Sequence, residues 1–344
     1  MILVDEGQSP LILCLPHSGT VIPNAVEKRL NATGRLQADL AWRLERVFDF
    51  HGDLDATVLR SSISRYVIDL DRDPETPVSA AADPARALCP ATTLDGKRIY
   101  QDGEEPGPTE VEQRVLLFHA PFHRALHRQV DRLLRLHRKV IVLDCQSMRS
   151  HIKGVTDKGL PVVSIGTAGG ASCDPDLRNL VAGSFSGQQG YTVSVDEQTR
   201  GGFITKSYGR PERGVHVLTL LLAQRIYLRH ESPPFEPDRT RVERLHVELA
   251  EALGRIGDWA GSEGGASRIE PAVEARAETA AEETEPVQAQ APGGSPQEIP
   301  EAAADDGGGQ ARVIPMDPTT LPRVGKVETG QVEDGPVTPV LVAE

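Results

Sequence analysis

A histidine set between a buried strand and a glycine turn can bind a metal or carry a proton, and Pro16-His17-Ser18-Gly19-Thr20 has that form. It follows an apolar run, Leu11-Ile12-Leu13-Cys14-Leu15, that reads as a buried strand. Such a position also suits a structural loop histidine, so on its own His17 has two open roles. A second polar cluster, Asp144-Cys145-Gln146-Ser147, follows the apolar run at 139–143. Ligands of open α/β sheets lie beyond the carboxyl ends of the strands, which makes the two clusters candidates for one site. Glycine-rich segments at 166–170 and 201–202 would let backbone amides approach a ligand. Neither is a nucleotide-phosphate loop, because no GxxxxGK[ST] is present and no GxGxxG opens a helix.

The elements that must position these residues follow from periodicity. Leu36, Leu40, Leu44 and Val47 share one face of a helix expected over 36–50. Strands are expected at 56–59 and 66–70, and 73–107, rich in Pro, Ala and Asp, reads as irregular. A long helix is expected over 109–137, with Leu116, Leu126, Leu133 and Leu136 among its apolar positions. Residues 139–144 give the clearest strand, 161–165 another, and a helix begins near Asp174 with Pro175 in its first turn. Further strands are expected at 191–195, 203–208 and 215–220, then an amphipathic helix over 242–256. Strands alternating with helices predict an α/β fold, a three-layer sandwich with a mixed central sheet.

Composition divides the chain. Of its 344 residues, the stretch 261–344 holds 16 acidic and 5 basic residues, a net of −11 out of −13. The remainder is near neutral at −2 and offers no basic field for nucleic acid. Trp259 is the last aromatic residue, and after it Gly, Ala, Glu, Pro and Gln dominate. Such a composition buries too little apolar surface to offset ordering entropy. The expectation is one domain over 1–258 and a disordered acidic Pro/Ala/Gly-rich tail over 259–344, with a protein partner for the tail as a second reading of it. Cys14, Cys89, Cys145 and Cys173 show no paired spacing, as in a reduced, cytoplasmic protein. The amino terminus lacks the pattern of a signal peptide, and the longest apolar stretch, 215–222, is too short to cross a bilayer, so no membrane association is expected.

Six collinear segments then resemble the N-formylglutamate amidohydrolase family: PHSGTVIP (16–23), SRYVIDLDR (64–72), APFHRAL (120–126), LDCQSMRS (143–150), SIGTAGGASCDP (164–175) and GGFITKSYGRP (201–211). The resemblance implies a zinc-peptidase-like sandwich and metal-dependent hydrolysis of the amide of N-formyl or N-acyl amino acids. In that chemistry zinc lowers the pKa of a bound water to about 7, and a carboxylate carries its proton to the leaving amine. By similarity, His17 and Asp39 would be metal ligands, and a D-x-H-S histidine the third.

The chain departs from that pattern. It has Gln146 where the third ligand would stand, and a neutral amide is a poor zinc ligand. Leu221 falls where family members carry the glutamate expected to be the base, and leucine carries no proton. Zinc binding is therefore expected to be impaired, and a catalytically inactive ligand-binding or regulatory relative is the alternative to a hydrolase. The resemblance places Ser18, Arg65, Arg72, His123 and Lys206 at substrate-binding positions. Arg65 and Arg72 suit a substrate carboxylate, or else pair with Asp69 or Asp71. Asp71 replaces the family's asparagine and adds negative charge beside them. His123 faces either the cleft or the surface. His151 is a remote substitute for the missing ligand.

Overall fold

A computed structural model of the chain describes residues 1–75, 84–187 and 190–262. Among the described residues the seven strands are β1 (Ile2–Asp5), β2 (Leu11–Leu15), β3 (Thr57–Ser61), β4 (Val140–Met148), β5 (Val163–Gly166), β6 (Val193–Val195) and β7 (Val215–Ala223). They form one sheet in the order β1-β3-β2-β4-β7-β5-β6. The run β3-β2-β4-β7 is parallel, β1 and β5 pair antiparallel with their neighbours, and β5 pairs parallel with β6, so the sheet is mixed as expected.

The helices are α1 (Asn24–Glu27), α2 (Ala32–Leu36), α3 (Leu44–Val47), α4 (Pro108–Arg114), α5 (Ala120–Leu134), α6 (Pro175–Ser186), α7 (Phe203–Tyr208) and α8 (Arg239–Gly261). Strand alternation assigns them to two faces. Leu11, Leu13 and Leu15 of β2, Ile141 and Leu143 of β4, and Leu218, Leu220 and Leu222 of β7 pack with Leu177 of α6 and Leu245, Leu249 and Leu253 of α8. The intervening Ile12, Cys14, Val140, Val142 and Val217 pack with Phe122, Leu126 and Leu133 of α5 and Ile204 of α7. Helices thus cover both faces, which is why β4 and β7 read as continuous apolar runs. Among the described residues no helix is long and apolar enough to cross a membrane.

Several expectations are corrected. The helix expected over 36–50 is broken at Gln37 and Arg43, whose φ values are 50° and 60°. Leu40, Leu44 and Val47 are buried, but Leu36 is exposed. Tertiary hydrogen bonds displace the helical ones: Ala41 N donates to His17 O at 3.0 Å, and Gln224 Nε2 donates to Leu40 O at 2.7 Å. Residues 66–70 form a buried turn instead of a strand, with Asp69 N donating to Leu88 O at 2.7 Å. The long helix is real, but a π turn over Val115–His119 joins α4 to α5 and shifts the register, leaving Leu116 exposed, as is Leu136 beyond the end of α5. Residues 203–208 are helical because Phe203 N and Ile204 N donate to the backbone carbonyl and Oδ1 of Asp71, at 3.0 and 2.8 Å. Asp144-Cys145-Gln146-Ser147 lies inside β4, which pairs with β7 as far as Met148 and Ala223.

The last helix runs to Gly261, beyond the boundary expected at 258. The ring of Trp259 meets His216 edge-on at 5.0 Å, Lys139 Nζ lies 4.1 Å from a Trp259 ring centroid, and Ala260 is buried. The rest of the expected tail lies outside the described residues. Truncation after Asp258 is expected to lower the thermal midpoint by roughly 2–8 °C relative to truncation after Ser262, the effect of losing roughly 1–2 kcal/mol in a domain of this size. Equal midpoints in parallel melts would show that the terminal turn adds nothing.

Candidate functional site

A cleft of about 280 Å³ opens beside the carboxyl ends of β2 and β4, and its lining brings His17, Asp39, Arg65, Asp69, Asp71, Arg72, Gln146 and Leu221 together. Asp69 is its electrostatic centre. It accepts from His17 Nε2 at 2.8 Å and Arg65 Nε at 2.8 Å, and Arg72 Nε lies 3.5 Å away. Burial opposes ionisation of this carboxyl, but His17, Arg65 and Arg72 overcome it and hold its pKa well below the usual range. An ionised Asp69 fixes the His17 proton on Nε2, which leaves Nδ1 as the ring's basic atom. Arg65 is buried; its Nη2 donates to Ala85 O at 2.8 Å, while Nη1 is buried without a hydrogen-bond partner.

The second group is built on Gln146. Its Nε2 donates to Asp144 Oδ2 at 2.6 Å and to Asp71 Oδ2 at 2.9 Å. Thr219 also donates to Asp144 Oδ2, whereas Asp144 Oδ1 is buried with no partner. Burial first, and then mutual repulsion among the carboxylates, raises the pKa of both Asp71 and Asp144. Gln146 and Leu221 are register partners on β4 and β7. Leu221 packs with Leu160, Ala223 and Met148, an apolar patch that gives a proton no place to go. A side chain at Gly202 would place its Cβ 1.9 Å from Asp71 Oδ2, so only glycine closes this wall.

Asp39 is fully engaged. Its Oδ1 accepts from Arg149 Nη2 at 2.7 Å, and its Oδ2 accepts from Tyr66 Oη at 2.9 Å and Leu94 N at 2.8 Å. These contacts decide the fit of zinc. Of the three residues given as ligands, His17 is bonded to Asp69, Asp39 is neutralised by a guanidinium, and Gln146 turns its amide nitrogen toward two carboxyls. No group of three or more His, Cys, Asp or Glu among the described residues could hold a metal ion. The donor set of the natural chain does not fit zinc.

Other expected site residues lie outside the lining. Ser18 hydrogen-bonds Leu15 O at 3.5 Å, and Lys206 and His151 are exposed. His123 bonds Tyr208 Oη at 3.0 Å and Leu70 O at 2.8 Å, so it supports the 69–72 turn from behind; burial lowers its pKa to about 3. The structure adds Arg86 and Arg200 to the lining and Arg149 through Asp39, and it places Asp69 and Asp144 at the centre of the two groups. Asp69 lies in the 64–72 segment and reads there as a partner for the arginines. Arg149 lies in the 143–150 segment, but nothing in its spacing points to an aspartate 110 residues away.

A mixed sheet covered on both faces, with a polar cleft at the carboxyl ends of parallel strands, defines an α/β fold. The family model for N-formylglutamate amidohydrolase matches residues 9–228. The chain is 33% identical over 255 residues to the N-formylglutamate deformylase of Pseudomonas putida, covering 74% of this chain and 94% of that protein. The enzyme of the same name from Pseudomonas aeruginosa is 33% identical over 251 residues, 72% of this chain and 94% of its own. A crystal structure of N-formylglutamate amidohydrolase from Ralstonia eutropha JMP134 superposes with a TM-score of 0.63 at 23% identity, covering 76% of this chain and 98% of that one. A structure of a gene product from Agrobacterium tumefaciens gives 0.55 at 18% identity, covering 74% and 95%. The chain belongs to the N-formylglutamate amidohydrolase family.

Proposed function

We propose that the chain hydrolyses the acyl–nitrogen amide bond of a small acidic N-acyl amino acid, with N-formylglutamate as the parent substrate. Family membership supports the reaction type. The observation that carries the substrate class is Arg65 Nη1, a buried cationic donor without a partner in the cleft that also contains Arg72, Arg86 and Arg200. Arg65 already pairs with Asp69 through Nε, and its remaining donor, Nη1, suits an oxygen of a second carboxylate. In this reading Arg65 and Arg72 hold the substrate carboxylate. His17, oriented by Asp69, takes a proton from water at Nδ1 and returns it to the leaving amine. Similarity of the sandwich to zinc peptidases belongs to the same proposal, as does a cytoplasmic setting, which four free, buried cysteines support.

Formate release tests the reading. N-formylglutamate should turn over slowly, well below the ordinary 1 per second, and at least about tenfold faster than N-formylleucine at equal concentration. His17→Ala should remove the activity. Absence of formate from either substrate, with and without added zinc, would sink it.

Metal content gives an independent check. Protein purified without added zinc should hold far less than one zinc per chain, because His17 is bonded to Asp69 and both oxygens of Asp39 are already taken. Stoichiometric zinc by elemental analysis, lost in His17→Ala, would overturn this expectation.

A further inference from the structure

A second cavity, also of about 280 Å³, is walled by Val162, Tyr191, Arg225, Ile226, Arg241 and Arg244 and shares no residue with the cleft. Its polar wall consists almost wholly of donors. Arg225 Nη2 donates to Leu160 O at 2.6 Å, while Arg225 Nη1 is buried and unpartnered. The hydroxyl of Tyr191 is likewise buried and unpartnered. Arg241 Nη1 donates to the carbonyls of Arg225 and Leu228, at 3.0 and 2.7 Å, and so fixes the 3-10 turn Gln224–Ile226 against the start of α8. Arg244 Cζ lies 6.0 Å from the Tyr191 ring centroid, and its Nε donates to Glu248 Oε1 at 3.1 Å. That carboxylate is outside the lining, and no lining residue is acidic.

We propose that this cavity binds a compact oxyanion, the phosphate or carboxylate group of a small metabolite. Two buried donors without acceptors are costly to maintain, and both belong to residues that line this cavity, where an anion supplies the acceptors they lack. Arg225 and Arg241, which bond backbone carbonyls, supply the charge, while Arg244 is already paired with Glu248, and planar guanidinium forks match the oxygens of a phosphate or carboxylate. The volume, at the small end for ligand pockets, limits the occupant to a compact group. Arg225 stands four residues beyond Leu221 of the cleft wall, so an occupant here grips the end of the strand that closes the first site.

The test is calorimetric titration of the full chain with sodium phosphate, and separately with sodium succinate, at constant ionic strength. At least one should saturate a single site. A hundredfold excess over its dissociation constant should raise the thermal midpoint by about 5 °C. Tyr191→Phe, a change that keeps the ring and its packing, should weaken binding at least about tenfold, and Arg225→Lys should do the same. Arg72→Gln, in the first cleft, should leave it unchanged. Preference for phosphate would assign a phosphorylated ligand and preference for succinate a dicarboxylate; either supports the site. No saturable binding of either anion, or binding lost in Arg72→Gln and retained in Tyr191→Phe, would overturn it.

Discussion

Gln146→His combined with Leu221→Glu is expected to raise formate release from N-formylglutamate by at least about a hundredfold in the presence of zinc. The two positions face each other across β4 and β7, so the substitutions land in one site. An imidazole at 146 would stand beside Asp144, whose buried Oδ1 has no partner, and a carboxylate there can orient a metal-bound histidine. A glutamate at 221 would place a carboxylate where the cleft now has only leucine. Either change alone should do little, because a bound water without a proton acceptor, or an acceptor without a metal, leaves the barrier high; proton transfer by a positioned group is worth about 10²–10⁴. Asp71→Asn is the third substitution. Asp71 now accepts from both Ile204 N and Gln146 Nε2, which an asparagine cannot do without turning a donor toward a donor. It should therefore destabilise the natural chain and be tolerated once residue 146 is histidine. A triple variant that binds zinc but hydrolyses no N-formyl or N-acyl amino acid would show that the substrate class is wrong.

What could be read from the sequence follows physical range. The core strands β2, β4 and β7 were visible because both faces are covered, so burial appears as an unbroken apolar run. α6 was visible through Asp174 and Pro175, a cap and a first turn adjacent in sequence. Features fixed from far away were not. α7 takes its cap from Asp71, more than a hundred residues earlier, and the break at Gln37 and Arg43 is held by contacts to His17 and Gln224. In the site, His17 and Gln146 are legible as polar groups at the ends of apolar runs, Asp39, Arg65, Arg72 and Leu221 come from the family resemblance, and the fold gathers all six in one cleft. The partners that change their meaning, Asp69 for His17 and Arg149 for Asp39, emerge only when the chain is folded.

The second large effect falls on stability and concerns Arg149. Its guanidinium balances an Asp39 side chain that is 0% exposed, so Arg149→Gln should cost about 3 kcal/mol, the usual result of leaving a buried charge without its partner. In thermal melts that corresponds to a fall of roughly 6–12 °C. Asp39→Asn alone should also destabilise, because Asp39 accepts on both oxygens and an asparagine must turn its amide nitrogen toward either the Arg149 guanidinium or the Tyr66 and Leu94 donors. The double variant, with neither charge, should be more stable than the sum of the single losses predicts, by at least about 1.5 kcal/mol. That coupling distinguishes two roles for Asp39. A carboxylate retained for a metal would give its main effect on metal content and show additive losses with Arg149. One held by the ion pair gives strong coupling and no change in metal content, the outcome expected from a side chain whose oxygens are already occupied by Arg149, Tyr66 and Leu94.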